Sequence, residues 1–393
     1  MDINTAIRNY KNGTASEEEC RAVEYELEKQ ELLASLSLFP REQETVPFPE
    51  SKKELKQLRR SLRKRNAKLV AISLILAAAL LAGAVRIGSP ALEKLYWDPG
   101  TVSYGTAAGT DLDMSLAAYD ELFSPTTTYQ GSRISHTGFA GYSITIQYWT
   151  GARDEAAEGY ASIHKGELFI PSGIWDYATH QIVGSYWMTV PESAAVNRRA
   201  VAEVLSQLPE YVQIGAYVTF TQDKTLSQIF AFRDELGNDN KDRINQTGYC
   251  WTAIRHSADM DNTVRCGISS ASYTTQFPEA NTQYPAFSEF HAYQELKVSG
   301  FNYSWAEQTY AAHFKSLLRY MDDQLKQGTG IPAPASGTGI VDPEYYANAL
   351  AYVEENGVMA YGCYIYASPQ VLLEILQRED VLMICLTEGW LNI

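Results

Sequence analysis

Residues 69–85 read LVAISLILAAALLAGAV, seventeen positions without a charge or a proline. A helix that spans a bilayer needs about 20 predominantly apolar residues, with a range of about 17–25. Lys68 and Arg86 bracket the run, and their long stems can snorkel, which extends the usable span to roughly residues 67–87. Its five Leu, two Ile and two Val favour insertion by roughly 3–5 kcal/mol in total, against small penalties from Ser73 and Gly83. A core helix of this length normally carries a polar stripe, and this run has none. The expectation is a single-pass membrane protein whose transmembrane helix is 69–85.

The flanks set the expected orientation. Residues 51–68 carry nine basic side chains against Glu54 alone, whereas beyond Arg86 only Lys94 precedes Arg133. The positive-inside rule then places the N-terminus in the cytoplasm and the C-terminal domain outside the cell membrane. In that reading 51–68 is a basic juxtamembrane linker facing anionic headgroups. A cleaved signal fits poorly, because its charged region would have to be 68 residues long.

Charge is unevenly divided along the 393 residues. The whole chain carries −15; residues 1–50 carry −6, 51–68 carry +8, and the rest −17. With its one basic stretch assigned to the membrane, the chain is a poor candidate for nucleic-acid binding. All seven Trp lie beyond residue 85, so the aromatic core belongs to the C-terminal part.

Residues 1–50 read as a short helical segment. Ser16 and Glu19 form a capping-box pattern, and Glu17, Glu18 and Glu19 complement the helix dipole. From there a helix runs to about Leu38, with Cys20, Val23 and Leu27 on one apolar stripe and Leu32, Leu33 and Leu36 continuing it after a shift in register. Pro40, Pro47 and Pro49 punctuate the linker that follows. Fifty residues bury too little apolar area for a robust domain, so this part is either a frayed tail or a helix that lays its stripe in a partner's groove.

Two sets of residues carry a resemblance. Tyr10-Lys11-Asn12-Gly13, Ser16 and Glu24-Tyr25-Glu26-Leu27-Glu28-Lys29, followed by a linker, a basic run and one apolar run, resemble a membrane-bound anti-sigma factor of the zinc-free type. Tyr352 to Val358, Tyr361-Gly362 and the terminal Trp390-Leu391-Asn392 resemble the sigma-regulator C-terminal domain of the same group, and Tyr217-Val218-Thr219-Phe220 with Leu226 and Phe230 resembles its middle block. The resemblance implies a segment at 1–50 that binds an extracytoplasmic-function sigma factor, and an external sensor domain at 96–393. It also implies that the sigma factor is sequestered at the membrane and released on an envelope signal, and it leaves room for a second small membrane protein as partner. The expected contact residues are Tyr10, Val23, Leu27, Leu32, Leu33 and Leu36. No metal is expected: no histidine precedes His136, and Cys20 is the one cysteine before residue 85, too few ligands for a tetrahedral zinc site. No cofactor is expected either.

Beyond the apolar run the pattern is α+β. Strands are expected at 142–149, 184–190, 212–221, 248–256, 264–270, 358–367 and 381–387. Helices are expected at 193–208, 226–236, 287–296, 304–327, 343–356 and 369–378. YVQIGAYVTFTQDKTLSQIF (211–230) and GVMAYGCYIYASPQVLLEIL (357–376) align without a gap, which points to a duplicated strand–helix unit. Cys250, Cys266, Cys363 and Cys385 allow disulfides, with Cys250–Cys266 and Cys363–Cys385 favoured by proximity; free buried thiols are the equal alternative.

Catalytic motifs are thin. G-x-S-x-G, H-E-x-x-H, C-x-x-C and the P-loop are all missing, and Ser162-Ile163-His164-Lys165 spells S-x-x-K without an accompanying K-T-G. No catalytic residue is assigned and no enzyme is expected. The competing reading is a signal-anchored extracellular ligand-binding protein or cell-envelope enzyme with an incidental N-terminal tail.

Overall fold

The computed structural model describes residues 3–37, 52–102, 109–150, 155–170, 191–238, 248–260, 264–269, 282–287, 303–334 and 342–391. The chain divides into two units, Met1–Gly83 and Ala84–Ile393. The first opens with α1 (Ile3–Lys11) and α2 (Glu17–Ser37), which pack against each other. Gly13 turns the chain between them at φ +71°, a left-handed conformation that costs glycine nothing. The expected capping box forms: Ser16 N–H donates to Glu19 Oε2 at 2.8 Å and Glu19 N–H donates to Ser16 Oγ at 3.4 Å.

The next helix, α3 (Lys52–Glu93), is 42 residues long and contains both the basic stretch and the apolar run. Here the expected architecture is corrected. Among the described residues no helix is long and apolar enough to cross a membrane, so the single-pass architecture, the transmembrane helix at 69–85 and the placement in the cell membrane do not stand. The physical reason lies in the composition of the run. Eight of its seventeen residues are Ala, Gly or Ser.

In the second unit, α4 (Asp111–Phe123) starts at a capping box of its own. Asp113 N–H donates to Thr110 Oγ1 at 3.1 Å, and Thr110 N–H donates to Asp113 Oδ2 at 2.9 Å. Four antiparallel strands follow as a meander: β1 (Thr127–Gly138), β2 (Gly141–Thr150), β3 (Glu155–His164) and β4 (Glu167–Phe169). The β3–β4 loop is the two residues Lys165 and Gly166, at φ +51° and +83°, the twist that suits a tight hairpin. One face of the meander is buried through Tyr129, Ile144, Ile146, Tyr148, Ala161 and Ile163. The residues between them point outward.

The remaining described elements are α5 (Pro191–Gln207), β5 (Val212–Thr225), α6 (Leu226–Asn238), β6 (Gly248–Ile254), β7 (Gly267–Ser269), α7 (Tyr303–Lys326), α8 (Tyr345–Asn356), β8 (Met359–Ala367), α9 (Pro369–Gln377) and β9 (Val381–Leu391). Their strands form a second antiparallel sheet in the order β7-β6-β8-β5-β9. The two segments that align in sequence are its adjacent strands β5 and β8, each leading into a helix. Tyr217 aligns with Cys363 and Val218 with Tyr364, and the observed pairs are Tyr217↔Tyr364 and Val218↔Cys363. These pairs exchange into one another about a local two-fold axis. The symmetry extends outward: β6, which follows α6, flanks β8, while β9, which follows α9, flanks β5. Leu226 and Leu372, identical in the alignment, are both fully buried, as are Ile229 and Ile375.

A single apolar cluster joins the inner faces of both sheets with α4 and α7, through residues such as Leu116, Ile146, Val218, Phe314, Leu317 and Ile365. The opposite face of the second sheet carries a smaller cluster of Tyr217, Trp251, Tyr361, Tyr364, Tyr366 and Cys385. Tyr361 joins it because both ladders skip that residue, with Gly362 and Ala360 paired on either side of it; such a bulge turns a side chain to the other face. The strand expected at 184–190 lies outside the described residues, as does most of the helix expected at 287–296.

Candidate functional site

The α1–α2 hairpin positions the residues expected to meet a partner. Beyond its cap, Asn9 Nδ2 donates to Glu19 Oε1 at 3.0 Å, so Glu19 holds the cap and ties the two helices together. The Ser16 N–H and then the Asn9 amide hold the Glu19 carboxyl below its ordinary value. The interior is small: Ala6 and Val23 are its buried apolar side chains among the described residues.

The expected contact residues therefore separate. Val23, 4% exposed, points into the hairpin and faces no partner, whereas Leu27, 54% exposed, and Tyr10 lie on its surface. Tyr25, outside the expected contact set, is the most exposed of the three at 68%. Leu32, Leu33 and Leu36 lie on the helical backbone of α2, with side chains outside the described residues. Cys20 is a half-buried free thiol.

A second constellation sits beneath a cleft of roughly 200 Å³ in the other unit, lined by His256, Ser257, Asp342, Tyr345, Asn348 and Tyr352 among others. Its floor is a buried polar chain. His256 Nδ1 lies 2.9 Å from the Ile254 carbonyl, which can only accept, so that nitrogen carries a proton. His256 Nε2 lies 2.8 Å from the Tyr345 hydroxyl, which also reaches the Val264 carbonyl at 3.1 Å. Burial pushes the His256 imidazole down to about 4. Burial likewise raises the Cys266 thiol above its ordinary value. That is the opposite of what activates a cysteine nucleophile.

A third group of buried polar residues ties α4 into the core. His313 places Nδ1 2.8 Å from the Ala286 carbonyl and Nε2 3.0 Å from Glu121 Oε1. The Ser269 N–H donates to the same Glu121 oxygen at 3.3 Å, and Trp251 Nε1 donates to the Glu121 carbonyl at 2.8 Å. Asp120 accepts from Thr127 Oγ1 and from the Tyr129 N–H, and burial pushes its carboxyl up to about 7. Asp113 accepts from the Tyr129 hydroxyl and from Ser132 Oγ. Each acid has protein donors, and no group of His, Cys, Asp and Glu among the described residues is arranged to hold a metal ion. The contacts join positions up to 192 residues apart, so no local motif announces them.

Cys266, Cys363 and Cys385 are free and buried. Cys363 and Cys385 pack in different clusters on opposite faces of the sheet, and β5 separates their strands, so proximity in sequence is not proximity in space. The carbonyl of Cys266 accepts from the Ile254 N–H, four positions along β6 from Cys250, which rules out the expected Cys250–Cys266 bridge. The S-x-x-K match also disperses, with Ser162 exposed on β3 and Lys165 in the tight turn.

Chemically, the hairpin offers an apolar contact surface, and the buried groups offer rigidity. No family model, curated protein or solved structure matches this chain.

Proposed function

We propose that the α1–α2 hairpin is the sigma-factor-binding element of an anti-sigma factor, which covers a surface the sigma factor needs to engage polymerase and gives it up on a signal. The observation that supports this reading is the imbalance in the hairpin: Leu27, Tyr10 and Tyr25 stand in solvent around an interior of Ala6 and Val23. A helix pair with so small a core gains most from docking its apolar surface on a partner. The resemblance of residues 10–29 to zinc-free anti-sigma factors names the partner class.

The test is co-purification of the full chain from host cytosol. Wild type is expected to bring down an extracytoplasmic-function sigma factor. Leu27→Asp, which places a charge in the contact, is expected to lose it and to raise transcription of its targets. Unchanged transcription at equal protein level contradicts the proposal. A second reading, a ligand-binding protein with an incidental N-terminal hairpin, draws on the outward face of the β1–β4 sheet. It predicts that deleting residues 1–37 leaves function intact.

A further inference from the structure

The outward face of the β1–β4 sheet carries aromatic side chains where a solvated sheet face ordinarily carries short polar ones. Tyr160 is 60% exposed and Phe169 64%, and Trp149 is exposed beside them. The register places them on a diagonal. Trp149 on β2 lies opposite Ala156, four residues before Tyr160 on β3, and Phe169 on β4 lies opposite Ser162, two residues beyond Tyr160. At about 3.4 Å per residue along a strand and about 4.8 Å between strands, the line from Trp149 to Phe169 is roughly 22 Å long.

Polar side chains fill the space beside that line. Gln147 pairs with Glu158 across the strands, and Gln147 Nε2 lies 3.5 Å from Glu158 Oε1. The Tyr160 hydroxyl lies 3.3 Å from Glu158 Oε2. Arg133 on β1 and Tyr160 on β3 both pair with Thr145, so guanidinium and ring flank that residue on the same face. Arg133 and Glu158 offset each other in charge.

We propose that this face binds an uncharged β-linked polysaccharide, a site independent of the sigma-factor reading. A pyranose with equatorial substituents has a flat C–H face that stacks on an aromatic ring, and a rim of hydroxyls that pairs with amide, carboxylate and guanidinium groups. Three rings set along roughly 22 Å of an open sheet face suit a chain of several sugars. They do not suit a single small molecule, which takes a concave pocket. Charge selects among polymers: beyond residue 68 the chain holds 18 basic and 35 acidic side chains, which repels nucleic acid and leaves a neutral glycan unaffected.

The test uses the full chain, with retention on insoluble cellulose and chitin and retardation in gels containing soluble xylan or β-1,3-glucan. Wild type is expected to bind at least one of these, and raised salt is expected not to weaken it. Tyr160→Ala/Phe169→Ala is expected to lower the affinity at least about tenfold with an unchanged unfolding midpoint, since both side chains are exposed. Leu27→Asp is expected to bind like wild type. Failure of wild type to bind all four glycans overturns the proposal, as does undiminished binding by the double variant. A dimer of the glycan-free chain that the double variant abolishes also overturns it, by assigning the face to self-association.

Discussion

The hairpin and the C-terminal unit use the same apolar side chains to opposite ends. In the hairpin Ala6 and Val23 are buried while Tyr10, Tyr25 and Leu27 face water. In the C-terminal unit one cluster gathers side chains from two sheets and several helices, with Leu317, Tyr320 and Phe314 all fully buried. Apolar burial contributes about 25 cal/mol per Å² removed from water, so the second unit has ample driving force of its own and the first has little. One region is built to persist. The other leaves most of its large apolar side chains in water.

The largest effect that sharpens this contrast comes from truncating each interior. Trp251→Ala removes a fully buried ring and its hydrogen bond to Glu121 and is expected to cost about 3–5 kcal/mol. Val23→Ala is expected to cost roughly 1.5 kcal/mol, confined to the hairpin. Urea unfolding followed by tryptophan fluorescence should register the first and miss the second, because all seven Trp lie in the C-terminal unit.

Next comes the buried pair. His313→Leu leaves Glu121 without its imidazole partner in a site sealed from water, and is expected to cost about 3 kcal/mol in the same assay. Glu121→Leu/His313→Leu is expected to recover part of that loss. A double variant less stable than His313→Leu alone would refute the pairing.

The pH dependence should distinguish two buried groups. Asp120 is pushed up to about 7 by burial, above its unfolded value, so the stability it contributes is full below about pH 4 and is lost as pH rises through 7. His256 is pushed down to about 4, so its contribution is full above about pH 6.5 and is lost as pH falls through 4. Between those limits the two oppose each other. Asp120→Asn is expected to leave a stability that rises with pH across this window, and His256→Gln one that falls. Matching wild-type and variant profiles would exclude both assignments.

The smallest effect returns to the hairpin. Ser16→Ala removes the Oγ that accepts from the Glu19 N–H and is expected to cost about 1 kcal/mol, seen as reduced helicity at α2.

How much of this was legible in the sequence varied with how local the cause was. Ser16 with Glu19 was readable because a cap is made within four residues. β5, β8 and β9 were readable as apolar runs between turn residues. The β1–β4 meander was not legible throughout: β3 reads EAAEGYASIH, whose Ala, Glu and Gly are poor strand formers, and its conformation comes from the strands on either side. α4 hid because its buried Asp113, Asp120 and Glu121 look like a solvated helix until partners far along the chain supply their hydrogen bonds. On α2 the periodicity placed Val23 and Leu27 on one stripe, and it takes the packing of α1 to bury the first and expose the second. The apolar run at 69–85 misled because its Ala, Gly and Ser weigh nothing in a count of large side chains. The cysteine pairing misled because β8 and β9, adjacent in sequence, lie apart in the sheet, and because the β6–β7 register sets Cys266 four positions away from Cys250.

The most direct test is hydrogen exchange on the full chain, alone and with the co-expressed sigma factor. The account predicts that amides of residues 3–37 exchange fast in the free chain and become protected with the partner bound, while β5 and β8 stay protected in both. Equal protection of residues 3–37 in the two samples, or new protection confined to the C-terminal unit, would contradict it.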